Sequence, residues 1–108
     1  ITVRNSNGLV RLNTDDILYI EVLDHILTFH TAQGAVRASG SLLSWEQKLS
    51  KNDFMRCNSC YLVNPKYIKS VIHNLVILLD GTELKISKPR KKDFMLGLTI
   101  WIGRGNVV

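Results

Sequence analysis

Short runs of alternating apolar and polar residues recur along the chain, separated by residues that favour turns. Asp24-His25-Ile26 lies between two such runs, and Asp80-Gly81 lies between two others. Asp-Gly between alternating runs is a strong signal for a two-residue hairpin turn. Further turn signals are Asn5 to Gly8 and Gln33-Gly34. The pattern predicts a mainly β domain built from antiparallel hairpins.

Two segments instead have the spacing of helices. Ser41 is predicted to cap a helix over residues 42–49, because apolar residues recur there at three, four and seven positions. Trp45 and Leu49 then belong to the core of the domain. Ser87 is predicted to cap a second helix from Lys88 to about Trp101, with Pro89 tolerated in its first turn.

The run 56–63 also alternates, and it predicts one strand that ends in an Asn64-Pro65 turn. On one strand, Cys57 and Cys60 would point to opposite faces with Cα atoms roughly 10 Å apart, beyond the reach of a disulfide. A single Cys-x-x-Cys supplies only two of the four ligands of a zinc site. We therefore expect no bridge and no metal, and two free thiols fit a reducing, cytoplasmic compartment.

Composition limits the classes of function. The chain has 108 residues, which predicts one domain over residues 1–108, and its first residue is Ile, so we expect it to be part of a longer protein. The net charge is +5, and residues 51–108 hold most of the basic side chains. A basic half favours a polyanionic partner. Phosphate-binding loops, dinucleotide fingerprints and zinc-protease motifs do not occur, so we expect no enzyme, catalytic residue, cofactor or small-molecule substrate.

Positive charge is concentrated where the second helix is predicted to begin. Cationic side chains at a helix N-terminus are unfavourable by roughly 0.3–1 kcal/mol each. An anion bound at the same helix end would remove this conflict, and phosphate is the usual one. The charges therefore indicate a nucleic-acid partner. The basic residues are Lys88, Arg90, Lys91 and Lys92, with Asp93 the one acidic residue among them.

An ordered series of motifs runs from about residue 15 to residue 94. The motifs are Asp16-Ile17-Leu18-Tyr19-Ile20-Glu21, His25, Thr31, Gly34, Ser41-Leu42-Leu43, Glu46, Phe54-Met55-Arg56-Cys57, Tyr61-Leu62-Val63-Asn64, Tyr67-Ile68, Gly81 and Ile86-Ser87-Lys88. This series resembles the LytTR-type DNA-binding domains of bacterial response regulators. The resemblance implies an elongated antiparallel assembly of small sheets that presents loops to double-stranded DNA. It also implies sequence-specific binding to promoter repeats, with a dimer or paired copies on the DNA, under an upstream receiver or sensor domain.

The same resemblance implies individual contacts. His25 would lie on a polar loop that reaches the major groove, and Asn58 and Ser59 would lie on a second loop at base edges. The family more often has His at position 58 and Arg, Lys or Asn at 59, but Asn can still pair with adenine. Lys88 stands where the family has Arg and lacks its bidentate fork, for which Arg90 compensates. Arg56 is predicted either to contact a phosphate or to lie on a solvated face. The expected DNA-binding set is His25, Arg56, Asn58, Ser59, Lys88, Arg90, Lys91 and Lys92.

Two other classes of function stay open at this point. A basic β domain could be an RNA-binding module, although RNA readers usually expose aromatic side chains on a sheet. Tyr19, Tyr61 and Tyr67 are predicted to be structural instead. The other alternative is a protein-interaction or membrane-associated regulator that has lost DNA binding.

Overall fold

The computed structural model describes residues 1–106 of the chain, so the last two residues of the predicted domain lie outside the described part. Within residues 1–106 the strands are β1 Thr2–Asn5, β2 Gly8–Arg11, β3 Ile17–Leu23, β4 Ile26–Thr31, β5 Gly34–Ala38, β6 Met55–Asn58, β7 Tyr61–Val63, β8 Ile68–Ile72, β9 Leu75–Leu78 and β10 Glu83–Lys85, and the helices are α1 Leu42–Lys48 and α2 Lys91–Gly103. These ten strands form three antiparallel sheets, with strand orders β1-β2, β5-β4-β3-β7-β6 and β10-β9-β8. The prediction of a mainly β, antiparallel fold with two helices is confirmed, and this part of the molecule measures 38 × 28 × 25 Å.

The run 56–63 is a hairpin, so the prediction of one strand was wrong. β6 ends at Asn58, Ser59-Cys60 forms the turn, and Asn58 pairs with Tyr61 of β7. The Asn58 side chain accepts a hydrogen bond from the backbone N–H of Cys60 at 2.7 Å, which closes a local turn without Gly or Pro. The predicted Asn64-Pro65 turn is present, and the Asn64 side chain accepts from the N–H of Lys66 at 3.1 Å.

Two turns of the three-stranded sheet also differ from expectation. Residues 79–82 connect β9 to β10, with the N–H of Leu78 donating to the carbonyl of Thr82 and that of Gly81 to the carbonyl of Leu78. The predicted two-residue turn at Asp80-Gly81 is therefore a longer loop. His73-Asn74 forms a tight turn between β8 and β9 that the sequence analysis did not predict.

The helices follow their predicted positions with one shift. Ser41 caps α1, where its hydroxyl accepts from the N–H of Ser44 at 3.1 Å. The second helix does not begin at Lys88: residues Lys88–Arg90 form a 3₁₀ turn, and α2 begins at Lys91. Pro89 disfavours the α conformation of the residue before it, so Lys88 cannot easily enter an α-helix. The Ser87 side chain makes no capping hydrogen bond.

The five-stranded sheet lies between two clusters of buried side chains. On one face, Phe29 packs edge-on against Trp45 of α1, with ring centroids 5.1 Å apart, and Leu49 is fully buried beside them. This confirms the predicted core positions of Trp45 and Leu49. On the other face, α2 packs its Phe94, Leu98 and Trp101 against Cys57, Val63 and the three-stranded sheet. The two helices are thereby held on opposite sides of the sheet that carries the β3–β4 and β6–β7 turns.

Candidate nucleic-acid interface

Two hairpin turns meet at one end of the five-stranded sheet. β3 and β7 are antiparallel neighbours with Glu21 opposite Tyr61, so the end of β3 lies beside the start of β7. The turn Asp24-His25 after β3 and the turn Ser59-Cys60 before β7 therefore share one end, where the N–H of Val22 donates to the carbonyl of Cys60 at 2.9 Å. The two turns are two strand spacings apart in the sheet order, about 10 Å.

The three-stranded sheet brings its own loops to the same end. The N–H of Ser87 donates to the carbonyl of Cys57 at 2.9 Å, and the N–H of Ile86 donates to the carbonyl of Asn74 at 2.7 Å. We call the resulting surface the loop ridge. It consists of the turns 24–25, 59–60 and 73–74 and the segment 86–92.

His25 is the exposed apex of the first turn. Asp24 and His25 both have positive φ, 49° and 66°, as a two-residue hairpin turn requires. The strands beneath it are fixed by a cluster in which His30 lies 2.9 Å from the carboxylate of Glu21 and stacks on Tyr19 at 4.2 Å between ring centroids. Burial, and next the Glu21 charge, raise the pKa of Tyr19 to about 12.

Positive charge dominates the segment 86–92. Lys88, Lys91 and Lys92 are exposed, Arg90 is half-buried, and Asp93 is the acidic residue in the first turn of α2. No side chain caps the start of α2 or the 3₁₀ turn before it. The backbone at this point is not an open helix end, because the N–H of Lys91 donates to the carbonyl of Lys88 and that of Arg90 to the carbonyl of Ser87. The exposed cations themselves suit an anionic ligand.

Asn58 makes two hydrogen bonds within the protein. Its Oδ1 accepts from the N–H of Cys60, and its Nδ2 donates to the carbonyl of Lys85 at 2.6 Å. One side chain thus closes the 59–60 turn and ties it to the strand that leads into the segment 86–92. The structure thus shows Asn58 bracing the 59–60 turn against β10. Contact between Asn58 and a base stays a prediction. Ser59, next to it, is exposed.

Arg56 lies under the 59–60 turn. Its side chain is 11% exposed, so it does not lie on a solvated face, and contact between Arg56 and a phosphate stays a prediction. Nε lies 3.2 Å from the Glu46 carboxylate of α1, close enough for an ion pair, but the angle makes no hydrogen bond and this buried Nε has no other partner in residues 1–106. Nη1 lies 3.4 Å from the carbonyl of Ser59. Burial lowers the pKa of Arg56, Glu46 opposes that shift, and the Arg90 charge adds to it.

The structure therefore brings all eight residues expected from the sequence to the loop ridge or directly beneath it. It adds two elements that the sequence did not single out, the His73-Asn74 turn and the Glu46 partner of Arg56. A short polar pair containing Asn between the apolar runs 68–72 and 75–78 was the available signal for the turn. The eight aromatic side chains are all buried or half-buried, so none is displayed as a stacking platform for RNA.

Both cysteines are free thiols, and Cys57 lies on β6 whereas Cys60 lies in the 59–60 turn, so they do not share one strand. The sequence argument from a single strand therefore does not apply. Cys57 is fully buried and Cys60 is half-buried. Among residues 1–106, no group of three or more His, Cys, Asp and Glu side chains is placed to hold a metal ion.

We expect one thiol to react in the folded protein and two after denaturation. Burial raises the pKa of Cys57 to about 12, so at neutral pH it offers almost no thiolate, which is the reactive form. Mass spectrometry after native labelling with iodoacetamide should place the adduct on Cys60. A Cys60→Ser variant should show no native adduct, and fast native labelling of Cys57 would contradict the prediction.

Comparison with known proteins gives a consistent picture. The family model of the LytTr DNA-binding domain matches residues 7–98. The sensory transduction protein LytT of Bacillus subtilis (strain 168) is 30% identical over 92 residues, which make up 80% of this chain and 38% of that protein. The transcriptional regulatory protein LytR of Staphylococcus aureus (strain N315) is 28% identical over 88 residues, 77% of this chain and 36% of that protein. The first is named for sensory transduction and the second for transcriptional regulation.

A solved structure shares the fold. The LytTr DNA-binding domain of a putative methyl-accepting/DNA response regulator from Bacillus cereus superposes with a TM-score of 0.80, covering 91% of this chain and 94% of that one. The two sequences are 22% identical, so this likeness concerns the fold alone. The chain spans less than two-fifths of the length of these two proteins. In residues 1–106, no helix is long and apolar enough to cross a membrane.

Proposed function

Because this chain belongs to the LytTr DNA-binding domain family, we propose that it binds double-stranded DNA sequence-specifically through the loop ridge, as the output domain of a bacterial transcription regulator. One observation carries the proposal. Loops from two separate sheets are hydrogen-bonded into one surface that holds the exposed cations Lys88, Lys91 and Lys92 beside the exposed tips of two hairpins.

Some residues of the loop ridge are proposed to contact base edges, and others are proposed to contact phosphates. His25 and Ser59 occupy exposed turns about 10 Å apart, which corresponds to roughly three base steps of 3.4 Å. Side chains on these turns are proposed to meet base edges in the grooves. The lysines of the segment 86–92 are proposed to bind phosphates, which fixes orientation without adding sequence information. Arg90 supplies the planar fork that Lys88 lacks.

The rest of the proposal concerns the longer protein. The relatives are named for sensory transduction and transcriptional regulation, and each is more than twice as long as the segment it shares with this chain. We propose that a receiver or sensor domain controls the ridge, that two copies bind adjacent promoter repeats, and that the protein works in the cytoplasm.

The variant His25→Gly should separate the recognition of base sequence from the general affinity for duplex DNA. Glycine tolerates the positive φ of this position, so the change removes the imidazole without straining the turn. On a duplex obtained by rounds of selection with the unmodified protein, we expect a loss of about 1–3 kcal/mol in binding free energy, and on random duplex almost none. Fluorescence anisotropy titrations of both duplexes measure the difference.

Gln33→Gly is the matched control. Gln33 is exposed in the β4–β5 turn, at the opposite end of the same sheet, and its replacement should leave both affinities unchanged. Equal losses of His25→Gly on both duplexes would show that His25 does not read sequence. If selection enriched no duplex over random sequence, the proposal of specific DNA binding would itself fail.

A further inference from the structure

We infer that the His73-Asn74 turn is an additional DNA-contacting element, in which His73 meets the sugar–phosphate backbone. The inference rests on the proposed function, because it extends the same surface by a turn that neither the motifs nor the charge pattern identified.

The turn projects from a well-defined hairpin. β8 and β9 pair up to Ile72 opposite Leu75, which leaves two residues at the tip. His73 has φ 56°, the left-handed conformation that such a turn needs. His73 and Asn74 are both exposed, and Ile72 beside them is 50% exposed. The tip therefore offers an imidazole and an apolar side chain together, and a sugar–phosphate chain can contact both.

Asn74 fixes this tip against the start of α2. Its backbone carbonyl accepts from the N–H of Ile86 at 2.7 Å, and its Oδ1 accepts from Nζ of Lys91, also at 2.7 Å. The turn is thus bonded to the basic segment by its main chain and by its side chain. Whatever lies against Lys91 lies next to His73.

The chemistry of the turn suits a phosphate. No acidic residue occurs between residues 68 and 79, so the hairpin itself carries no carboxylate to repel an anion. The ammonium of Lys91 lies on the turn, and an imidazole N–H can donate to a phosphate oxygen. In the order of contacts, the ridge runs from 24–25 through 59–60 and 86–92 to 73–74, so this turn is at its outer end. Because His73 is next to Asn74, which is bonded to the proposed phosphate-binding Lys91, its imidazole suits contact with the backbone of the duplex.

The test adds a charge at the tip and compares it with the same charge elsewhere. In His73→Lys the new ammonium should neutralise one more phosphate. The slope of log affinity against log salt on random duplex should then steepen by about 0.9, and affinity at physiological salt should rise about fivefold. Gln33→Lys has the same net charge with the ammonium at the far end of the five-stranded sheet, and its slope should match that of the unmodified protein.

A second variant removes the imidazole of His73 instead of adding a charge. His73→Gly keeps the positive φ available and removes the imidazole, and we expect affinity for random duplex to fall by about two- to tenfold, the value of one hydrogen bond. Gln33→Gly should show no fall. Thermal unfolding of each variant confirms that the fold is retained.

The outcomes separate this inference from the proposed function. If the unmodified protein binds duplex with a steep salt dependence but His73→Lys and Gln33→Lys give equal slopes, the inference is wrong and the proposed function stands. If His73→Gly also binds as well as the unmodified protein, the same conclusion follows. If the unmodified protein does not bind duplex DNA, both fail together.

Discussion

Replacing Lys88, Lys91 and Lys92 together by alanine should lower the affinity for duplex DNA about 100-fold at physiological salt. Each proposed phosphate contact contributes about −0.9 to the slope of log affinity against log salt, so three lost contacts should make the slope less steep by about 2.7. The loss should be similar on selected and random duplexes, because phosphates carry no sequence information. Anisotropy titrations at a series of salt concentrations measure both quantities.

The chain offers a control with the same change in net charge. Lys51, Lys66 and Lys69 are exposed, and Lys51 and Lys66 line one cavity at the end of the molecule where β6 begins and β7 ends, away from the loop ridge. Their triple replacement by alanine should change affinity only slightly, because charges beyond a Debye length of about 8 Å are largely screened. Equal losses in the two triple variants would attribute binding to net charge and remove the ridge from the proposal.

Asn58→Ala should weaken binding to selected and random duplexes by a similar factor and should also destabilise the fold. The change leaves the N–H of Cys60 and the carbonyl of Lys85 without their partner, which we expect to cost about 2 kcal/mol in the free energy of unfolding. For a domain of this size the thermal midpoint should fall by roughly 10 °C. The loss of affinity follows because the 59–60 turn is no longer tied to the basic segment.

Ser59→Ala is the matched comparison, since Ser59 is adjacent and exposed. We expect it to keep the thermal midpoint and to lose affinity on the selected duplex alone. If Asn58→Ala instead kept the midpoint and lost affinity only on the selected duplex, Asn58 would read a base, as the family resemblance implies, and the bracing role would be wrong. Calorimetry and paired titrations decide between the two outcomes.

Local signals in the sequence were enough to predict the class of fold and one helix correctly. Alternation of apolar and polar residues, with turn residues between runs, depends only on neighbours in the chain, and it correctly indicated antiparallel strands. The Ser41 cap and the buried Trp45 follow from the same kind of short-range pattern. The positive charge before α2 was also visible, because a run of cations needs no tertiary information.

The tertiary structure alone decided how these pieces form a surface. The 59–60 turn interrupts an alternating run without Gly or Pro, and the Asn58 side chain that closes it is bonded to Lys85, far along the sequence. Arg56 likewise depends on Glu46 of α1, a partner that no local pattern identifies. The loop ridge itself exists because β3 pairs with β7 and because Ser87 bonds to Cys57. The sequence by itself therefore determined the class of fold, the capped helix and the sign of the charge, through interactions between near neighbours. Long-range hydrogen bonds and sheet pairing decided which turns lie at the same end of the molecule. No local pattern encodes these interactions.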